Sequence, residues 1–423
     1  MRKQFKLGAI AAVAALALAG CSSGGDKSTS DAESGATDDV TQSEASEAID
    51  GSGATITVWS DENRKAAIDL AAKTFEADTG AKVNVVQKNF DDLRTDFIAQ
   101  VPSGKGPDIT VGAHDWLGAL VSEGVVNTID LGATADEFEK VTIDAFTYEG
   151  QLYGLPYSSE AVALVENADL GDGEGADTYD ELIQKGEATG AERPLLVEVG
   201  SGGNMYTAYA FQTSFDAPVF VQDSSGSYTT EVGMGGENGD KFAQWISDQA
   251  AAKILSSTIG GDEANDLFKS KKSPYIVTGP WAIDDYKKAG LDNLKVHKIP
   301  SAGGSTASPF VGVQGFYLSS QSENALLATN FIVNYLGSED IQRAFYEADP
   351  RIPAMTSLAE QYKDDPIIGG FIESAAVGVP MPSIPEMGDV WEYWNTAEVE
   401  IVKGADPTST WERMVSQVED KIK

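Results

Sequence analysis

Apolar and polar positions along the chain alternate with two different periods from residue 54 onward. Residues 54–59 alternate at the period of a strand and are rich in β-branched side chains. Apolar residues from Ile68 to Phe75 then recur at helical spacing, and Thr79-Gly80 predicts the end of this helix. The succession repeats as a strand at 82–86, a helix at 91–101 and a strand at 108–111. This alternation predicts an α/β fold with a largely parallel sheet covered on both faces.

Polar residues follow the ends of these predicted strands, at 60–63 and at 112–115. Ligands of such sheets collect at the carboxyl ends of the strands, so both stretches are candidate binding segments. A further apolar run at 274–278 leads into Gly279-Pro280-Trp281, which predicts a strand that ends in a turn. Trp281 then either caps a core or offers its ring to a ligand.

The segment that precedes this pattern predicts export and an anchor. Basic residues at the N-terminus precede an apolar stretch at 7–19, which is too short for an ordinary membrane-spanning helix. The following Leu18-Ala19-Gly20-Cys21 resembles the lipobox of bacterial lipoproteins. This resemblance implies removal of residues 1–20 as a signal peptide and a lipid on Cys21. The alternative is a plain secreted protein with an incidental cysteine.

Residues 21–53 contain mainly Ser, Gly, Thr, Ala, Asp and Glu. Such a segment buries too little apolar surface to offset the entropy of ordering it, which predicts a disordered acidic linker after the lipidated Cys21. A lipid and a linker place the folded body on the extracellular face of a bacterial cytoplasmic membrane. A Gram-positive cell is favoured over a periplasm.

The composition is that of a globular protein with an acidic surface. A chain of 423 residues that is 42% hydrophobic and 23% charged suffices for about two or three domains. The formal net charge of -36 excludes nucleic acid and anionic membrane surfaces as partners, because binding to these needs clustered Lys and Arg. Contact with a membrane is therefore assigned to the lipid on Cys21.

Short segments that span the predicted folded body occur in a characteristic order. They are FEADTGAKV at 75–83, GPDI at 106–109, AHD at 113–115, GPW at 279–281, PFVGV at 309–313 and MPSIPEM at 381–387. Together these segments resemble the maltose-binding protein family, whose members are the sugar-capturing subunits of ABC importers. The resemblance extends from about residue 56 to the C-terminus.

The resemblance implies a periplasmic-binding-protein-like fold with two α/β lobes, a hinge and a ligand cleft between the lobes. Lobe 1 is predicted at 54–159 and 315–361, and lobe 2 at 160–314 and 362–423. The implied protein is a monomer that binds an oligosaccharide, with maltose or maltodextrin as the first candidate, and delivers it to the membrane permease. It is no enzyme and needs no cofactor. An isomaltose-type or raffinose-type oligosaccharide in the same transport role is the alternative.

Carboxylates and aromatic rings are the side chains that a sugar site needs, for the hydroxyls and for the C–H faces of the pyranose. Asp115 and Glu160 fall on family positions that bind sugar hydroxyls, and Trp281 and Trp391 fall on stacking positions. Their structural alternatives are a helix cap for Asp115, a surface charge at the hinge for Glu160 and core packing for the rings.

Other candidate contacts have a looser basis in the resemblance. They are Tyr206, as the aromatic contact from the second lobe, together with Trp116, Asp61 and Glu62. The chain departs from the maltodextrin-binding pattern at Gly112, Trp116, Arg94 and Asn395, and the Glu-Pro-Tyr triplet of the second lobe is absent. Trp116 is expected to supply the stacking surface that Gly112 lacks. These changes leave an oligosaccharide as the predicted ligand and leave the choice of sugar open.

Two functions of other classes remain at this stage. A surface glycoside hydrolase would use Asp115 and Glu160 as its acid and base pair. A tethered adhesin or signalling partner would have an exposed apolar patch in place of a polar cleft. The sequence contains no zinc spacing, phosphate loop, dinucleotide fingerprint or recognisable nucleophile, so neither a metal nor a cofactor is predicted.

Overall fold

The computed structural model describes residues 49–423, except Ser225 and the side chain of Asp91. The predicted signal peptide, the lipid site at Cys21 and most of the predicted linker lie outside the described residues. Within them, no helix is long and apolar enough to cross a membrane. The described residues belong to a single compact unit with its own hydrophobic cores, so a fragment of this extent is expected to fold on its own.

Short strands are distributed along the whole folded part. They are β1 Thr55–Ser60, β2 Lys82–Gln87, β3 Ile109–Ala113, β4 Val126–Asn127, β5 Thr147–Tyr148, β6 Gln151–Leu152, β7 Gly154–Ala161, β8 Ala163–Asn167, β9 Phe220–Gln222, β10 Tyr228–Val232, β11 Tyr275–Thr278, β12 Leu294–His297, β13 Phe310–Ser319, β14 Ile352–Pro353 and β15 Val379–Pro380.

Helices lie between most of these strands. They are α1 Glu62–Thr79, α2 Phe90–Gln100, α3 Leu117–Ser122, α4 Lys140–Ala145, α5 Tyr179–Ala188, α6 Met205–Thr213, α7 Gly236–Ala251, α8 Gly261–Lys269, α9 Ile283–Lys288, α10 Ala325–Asn330, α11 Glu339–Ala348, α12 Thr356–Tyr362, α13 Ile368–Ala376, α14 Trp391–Val402 and α15 Pro407–Lys421. Single turns of 3₁₀ helix include His114–Trp116 and Pro280–Ala282, and a π-helical turn at Phe331–Leu336 continues α10.

The first elements agree with the periodicity of the sequence. Asp61 caps α1, because its side chain accepts from the backbone N–H groups of Asn63 and Arg64. Gly80 ends α1 in the left-handed region at φ 73°, where a glycine is favoured. The buried face of α1 includes Ile68 and Phe75, as the helical spacing predicts.

The larger sheet has the strand order β14-β7-β13-β3-β1-β2, with β4 and β15 paired to β13. The β1 strand pairs in parallel with β2 and β3, but β13 runs antiparallel to β3 and β7. The sheet is therefore mixed. The largely parallel arrangement expected from the first elements is found only among β1, β2 and β3. The antiparallel strands come from distant parts of the chain, where the local pattern gives no direction.

A smaller antiparallel sheet has the order β11-β8-β12. Its central strand alternates between two cores: Ala163 and Val165 belong to the core that also fills the larger sheet, and Leu164 belongs to a second core. The second core lies under α6, α7, α14 and α15 and contains Trp394 and Trp411. Each face of the small sheet is thus covered.

The chain passes directly from the larger sheet to the smaller sheet after β7, and β13 belongs to the larger sheet along its whole length. The β7 strand of the larger sheet is separated from β8 of the smaller sheet by Val162 alone. The β13 strand pairs with β15 near Phe310 and with β3 farther along the chain. The predicted lobe boundaries at 159–160 and 314–315 fall within β7 and β13, although the division into lobes itself stays a prediction.

Candidate ligand-binding site

A groove of about 530 Å³ opens where β1 and β2 end. It is lined by Asp61, Glu62, Asn63, Arg64, Gln87, Lys88, Asn89 and Phe90. The Asp61 Oδ1 atom accepts from the N–H of Asn63 at 2.9 Å and from Nη1 of Arg64 at 3.2 Å. Its Oδ2 atom is buried and has no hydrogen-bond partner among the described residues. One acceptor of Asp61 therefore lies unpaired beneath the groove.

A chain of alternating charges leads from this groove to the strand β7. Arg64 Nη2 lies 3.1 Å from Asp349 Oδ2, Arg351 Nε lies 3.3 Å from Asp349 Oδ1, and Arg351 Nη1 lies 3.2 Å from Glu160 Oε2. Burial raises the pKa of Glu160, and the two arginines oppose that shift. Arg64 also lies over the ring of Tyr157, with 5.6 Å between Cζ and the ring centroid. Glu160 is thus held in one orientation where β7 leaves the larger sheet.

The 3₁₀ turn after β3 holds His114, Asp115 and Trp116. His114 is buried, with Nδ1 accepting from the N–H of Val313 at 3.0 Å and Nε2 lying 2.9 Å from the carbonyl oxygen of Met381. The first contact leaves Nδ1 without a proton, so Nε2 is the donor of the neutral ring. Burial correspondingly lowers the pKa of His114. The histidine ties three distant segments together beside the half-buried Asp115.

The Trp116 ring occupies the space above a residue without a side chain. A Cβ at Gly112 would lie 2.8 Å from the Trp116 ring. Trp116 also packs against Phe90, with 5.2 Å between the centroids, and is only 9% exposed. The ring fills the place that a larger residue at 112 would take and offers little free surface to a ligand.

Four aromatic residues form a row across the second core. The centroid distances are 6.4 Å from Trp281 to Tyr206, 6.1 Å from Tyr206 to Phe310 and 6.2 Å from Phe310 to Trp391. Trp281 is 43% exposed, whereas Phe310 is fully buried and stacks on Tyr209 at 3.7 Å. We call Trp281, Tyr206, Phe310 and Trp391 the aromatic row. Phe310 supports it from within, and the other three rings retain accessible surface.

The aromatic row lies close to the carboxylates of the larger sheet. Burial raises the pKa of Tyr206, and the charges of Glu160 and Asp115 raise it further. These carboxylates therefore lie within electrostatic range of the Tyr206 hydroxyl, although they belong to β7 and to the turn after β3. Tyr206, Glu160 and Asp115, which the sequence suggested separately, thus lie within electrostatic range of one another.

The start of α6, which carries Tyr206, is fixed by α14. Asn395 Oδ1 accepts from the N–H of Met205 at 2.9 Å, and Glu398 Oε2 accepts from the N–H of Asn204 at 2.6 Å. The side chain of Asn204 in turn caps the helix by accepting from Thr207. Asn395, where the family often has an arginine, therefore positions the backbone of the helix that bears a ring of the row.

The remaining predicted residues occupy different environments. Glu62 is exposed at the groove, and Trp391 is half-buried at the first position of α14. Trp394 is fully buried and donates its ring N–H to Gln212 Oε1 at 3.0 Å, so it belongs to the core. Sequence reasoning missed Phe310, Arg351 and Asp349. Of these, only Phe310 could have been identified from the sequence, because it is an aromatic residue in the PFVGV segment of the family resemblance.

In the part of the chain described, no group of three or more His, Cys, Asp or Glu side chains could hold a metal ion. Hydroxyl-binding carboxylates beside exposed rings are instead suited to a neutral polyhydroxylated ligand.

The family model described as "Bacterial extracellular solute-binding protein" matches residues 70–370. The chain belongs to this family. The galactooligosaccharide-binding protein of Bacillus subtilis (strain 168) is 26% identical to this solute-binding protein over 100% of the chain and 98% of the relative. The maltodextrin-binding protein MdxE of the same organism is 25% identical over 84% of this chain and 87% of the relative.

Two solved structures with bound sugar resemble this solute-binding protein in fold and sequence. A cyclo/maltodextrin-binding protein complexed with maltotetraose is 32% identical, with a TM-score of 0.80 over 87% of this chain and 97% of that one. The Thermus thermophilus maltotriose-binding protein, bound with maltotriose, is 32% identical, with a TM-score of 0.72 over 87% of this chain and 100% of that one.

These comparisons confirm the resemblance inferred from the sequence motifs and the periplasmic-binding-protein-like α/β fold. Because the family is non-enzymatic, this solute-binding protein is a binding protein and not an enzyme. The surface glycoside hydrolase considered from the sequence is therefore excluded.

Proposed function

We propose that this protein captures a neutral oligosaccharide as the binding subunit of an ABC importer and passes it to the membrane permease. The observation that carries the proposal is the proximity of the aromatic row to Glu160 and Asp115. A sugar needs planes for its C–H faces and acceptors for its hydroxyls, and both are present in one region. Asp61, with its unpartnered Oδ2, adds an acceptor at the groove.

In this proposal, the aromatic rings and the carboxylates of the site contact different parts of the sugar. Trp281, Tyr206 and Trp391 contact the faces of the sugar units, and Asp115, Glu160, Asp61 and Glu62 contact the hydroxyls. Trp116 packs against Phe90 and offers the sugar only its small exposed surface. Because the rings extend over several centroid spacings of about 6 Å, the surface suits a chain of sugar units better than one free monosaccharide. Closure of the lobes would bring the two parts together around the ligand.

Maltodextrin is the first candidate for the sugar. Both solved structures named above contain maltooligosaccharides and share 32% identity with this chain. A galactooligosaccharide is the second candidate, because the relative that matches the chain along its whole length is named for that ligand.

The proposed location is the extracellular face of the cytoplasmic membrane, with the chain anchored through a lipid on Cys21. A maltooligosaccharide ABC transporter solute-binding lipoprotein of Streptococcus pneumoniae, 26% identical over 84% of this chain, supports an anchored form. The acidic segment at 21–53 would then hold the binding unit away from the membrane surface.

Thermal unfolding of the 49–423 fragment with a panel of sugars tests the proposal. The panel contains maltose, maltotriose, maltotetraose, a galactotetraose, isomaltose and raffinose, with sorbitol at equal concentration as the control for non-specific stabilisation. A ligand that binds only the folded state stabilises it by about 2.7 kcal/mol at a hundred times its Kd. We expect a clear rise in Tm with maltotetraose or galactotetraose. A panel in which no sugar exceeds sorbitol would contradict the proposal.

A further inference from the structure

The neighbouring strands β7 and β13 of the larger sheet carry a row of polar side chains. In the antiparallel pairing of β7 with β13, Ser158 lies opposite Gln314 and Glu160 lies opposite Gly312. Residues two apart on a strand share a face, so Ser158 and Glu160 project to the same side. Directly opposed residues have Cβ atoms about 5 Å apart. Ser158 and Gln314 are therefore neighbours, and Glu160 follows them along the strands.

Two polar atoms of this row are buried without a hydrogen-bond partner. Neither Ser158 Oγ nor Gln314 Oε1 has a partner among the described residues. Ser158 is 7% exposed, so water has little access to its hydroxyl. Native structures satisfy the great majority of such atoms, so each of these two calls for a partner, either a water molecule or a polar group of a ligand.

Glu160 lies over the glycine of this row. A Cβ at Gly312 would lie 3.2 Å from Glu160 Cγ, so the Glu160 side chain lies across the backbone of Gly312. Its carboxylate is held by Arg351 at 3.2 Å. Glu160 and Gln314 both keep some exposure, so the row can be reached from outside. The charges of Glu160 and Arg351 shift the pKa of Tyr206. This polar row on β7 and β13 therefore lies beside the aromatic row.

We propose that Ser158 and Gln314 bind a hydroxyl group of the oligosaccharide at the hinge, next to Glu160. This inference rests on the proposed function. A sugar hydroxyl donates to Gln314 Oε1 and accepts from the Ser158 hydroxyl, so it satisfies both atoms. A cation would leave the serine proton unpaired, and an anion would face the negative Glu160. Because Ser158 lies on β7 and Gln314 on β13, the same hydroxyl contacts both strands in which the predicted lobe boundaries fall.

Gln314→Leu in the 49–423 fragment tests this contact, with the best sugar of the panel as the probe in calorimetric titration. Loss of one net hydrogen bond lowers affinity by about tenfold. The Tm of the sugar-free variant should be unchanged or higher, because leucine removes an acceptor that has no partner in the sugar-free protein. Ser158→Ala should weaken binding in the same way. A residue with a structural role alone would instead lower the Tm and leave the affinity unchanged.

Gln342→Leu is the matched control. Gln342 is also a buried amide with an unpartnered Oε1, but it lies in α11, where its Nε2 donates to the carbonyl oxygen of Leu336 at 2.9 Å. We expect this variant to lose stability and to keep wild-type affinity. Wild-type affinity in both Gln314→Leu and Ser158→Ala would overturn the inference and leave the proposed function intact. Absence of any sugar binding by the wild type would instead overturn the proposed function, and this inference with it.

Discussion

The aromatic side chains of the site differ in how much they contribute to the stability of the folded protein. Trp281 is 43% exposed at the tip of a turn, so its ring contributes little to the core. Trp391 packs against Phe310 and against Trp394, whose centroid lies 5.5 Å away. Removal of the first ring should therefore affect binding alone, and removal of the second should affect binding and stability.

We expect Trp281→Ala and Trp391→Ala each to weaken sugar binding by about 1 to 3 kcal/mol, the range for an aromatic ring stacked on a planar ligand. Only Trp391→Ala should also lower the Tm. Calorimetric titration and thermal unfolding measure the two effects separately. Leu326→Ala, which removes a side chain that is 71% exposed, is the control and should change neither. Wild-type affinity in both tryptophan variants would assign these rings to packing.

The buried environment of Glu398 changes the pKa of its carboxyl group. It is fully buried, Oε2 accepts from the N–H of Asn204, and Oε1 has no partner among the described residues. Burial raises its pKa from 4.5 to about 8. The folded state therefore holds a proton on Glu398 near neutral pH, whereas the unfolded chain releases it. This proton stabilises the fold most below pH 4.5, and the contribution disappears as the pH rises through about 8.

Glu398→Gln should remove this dependence on pH, because the amide keeps the acceptor for Asn204 and cannot ionise. Its free energy of unfolding relative to wild type should rise by on the order of a few kcal/mol between pH about 5 and about 9. Urea unfolding across this range measures the difference. Glu400→Gln, on the exposed side of the same helix, should give a constant difference. A Glu398→Gln difference that stays constant would show that the buried carboxyl does not titrate in this range.

At the scale of elements, the charge chain joins the start of α1 to β7 through the segment before β14. Arg351 is the link, because it contacts both Asp349 and Glu160. Its side chain is 14% exposed and that of Glu160 is 23% exposed, so the pair is poorly screened by water. Without Arg351, the carboxylate of Glu160 would remain in a site that already disfavours its charge.

Arg351→Met should lower the free energy of unfolding by about 1 to 3 kcal/mol, less than the loss for a fully buried pair. It should also weaken sugar binding, since Glu160 would no longer be held in one orientation. Addition of Glu160→Gln should recover part of the lost stability. Arg343→Met is the control, because Arg343 pairs with Glu339 at the surface and should cost at most about 1 kcal/mol. Equal losses in the two arginine variants would refute a special role for the charge chain.

Features of the fold that depend on neighbouring residues can be predicted from the sequence, whereas contacts between distant residues cannot. The elements from β1 to β3 were predictable because capping by Asp61, the Gly80 stop and the apolar face of α1 are all local signals. The mixed direction of the larger sheet was not, since β13 joins it from far along the chain. Likewise, the pattern indicated Trp281 at the end of a strand and the family resemblance indicated Trp391, but nothing local pairs Glu160 with Arg351. The family resemblance, rather than periodicity, indicated Asp115 and Glu160 as candidates.

For the whole molecule, the proposal combines a two-sheet binding unit with a tether. We expect a Cys21→Ser variant to be found in the culture medium, whereas the wild-type chain stays with the membrane fraction. The reason is that several acyl chains on Cys21 would anchor the protein in the membrane, and the acidic segment 21–53 offers no comparable apolar surface. Immunoblots of the two fractions measure the distribution, and a serine substitution in the linker, Ala32→Ser, is the control. A Cys21→Ser chain that remains membrane-bound would contradict the anchor.

The central claim is that one oligosaccharide binds between the aromatic row and the carboxylates of the larger sheet. Calorimetric titration of maltotetraose, and in parallel of galactotetraose, into the 49–423 fragment tests it most directly. The account predicts saturable heat with one sugar molecule per chain for at least one of the two, and a weaker isotherm for Trp281→Ala. The absence of heat from both sugars at millimolar concentration, or an unchanged isotherm for the variant, would contradict the claim.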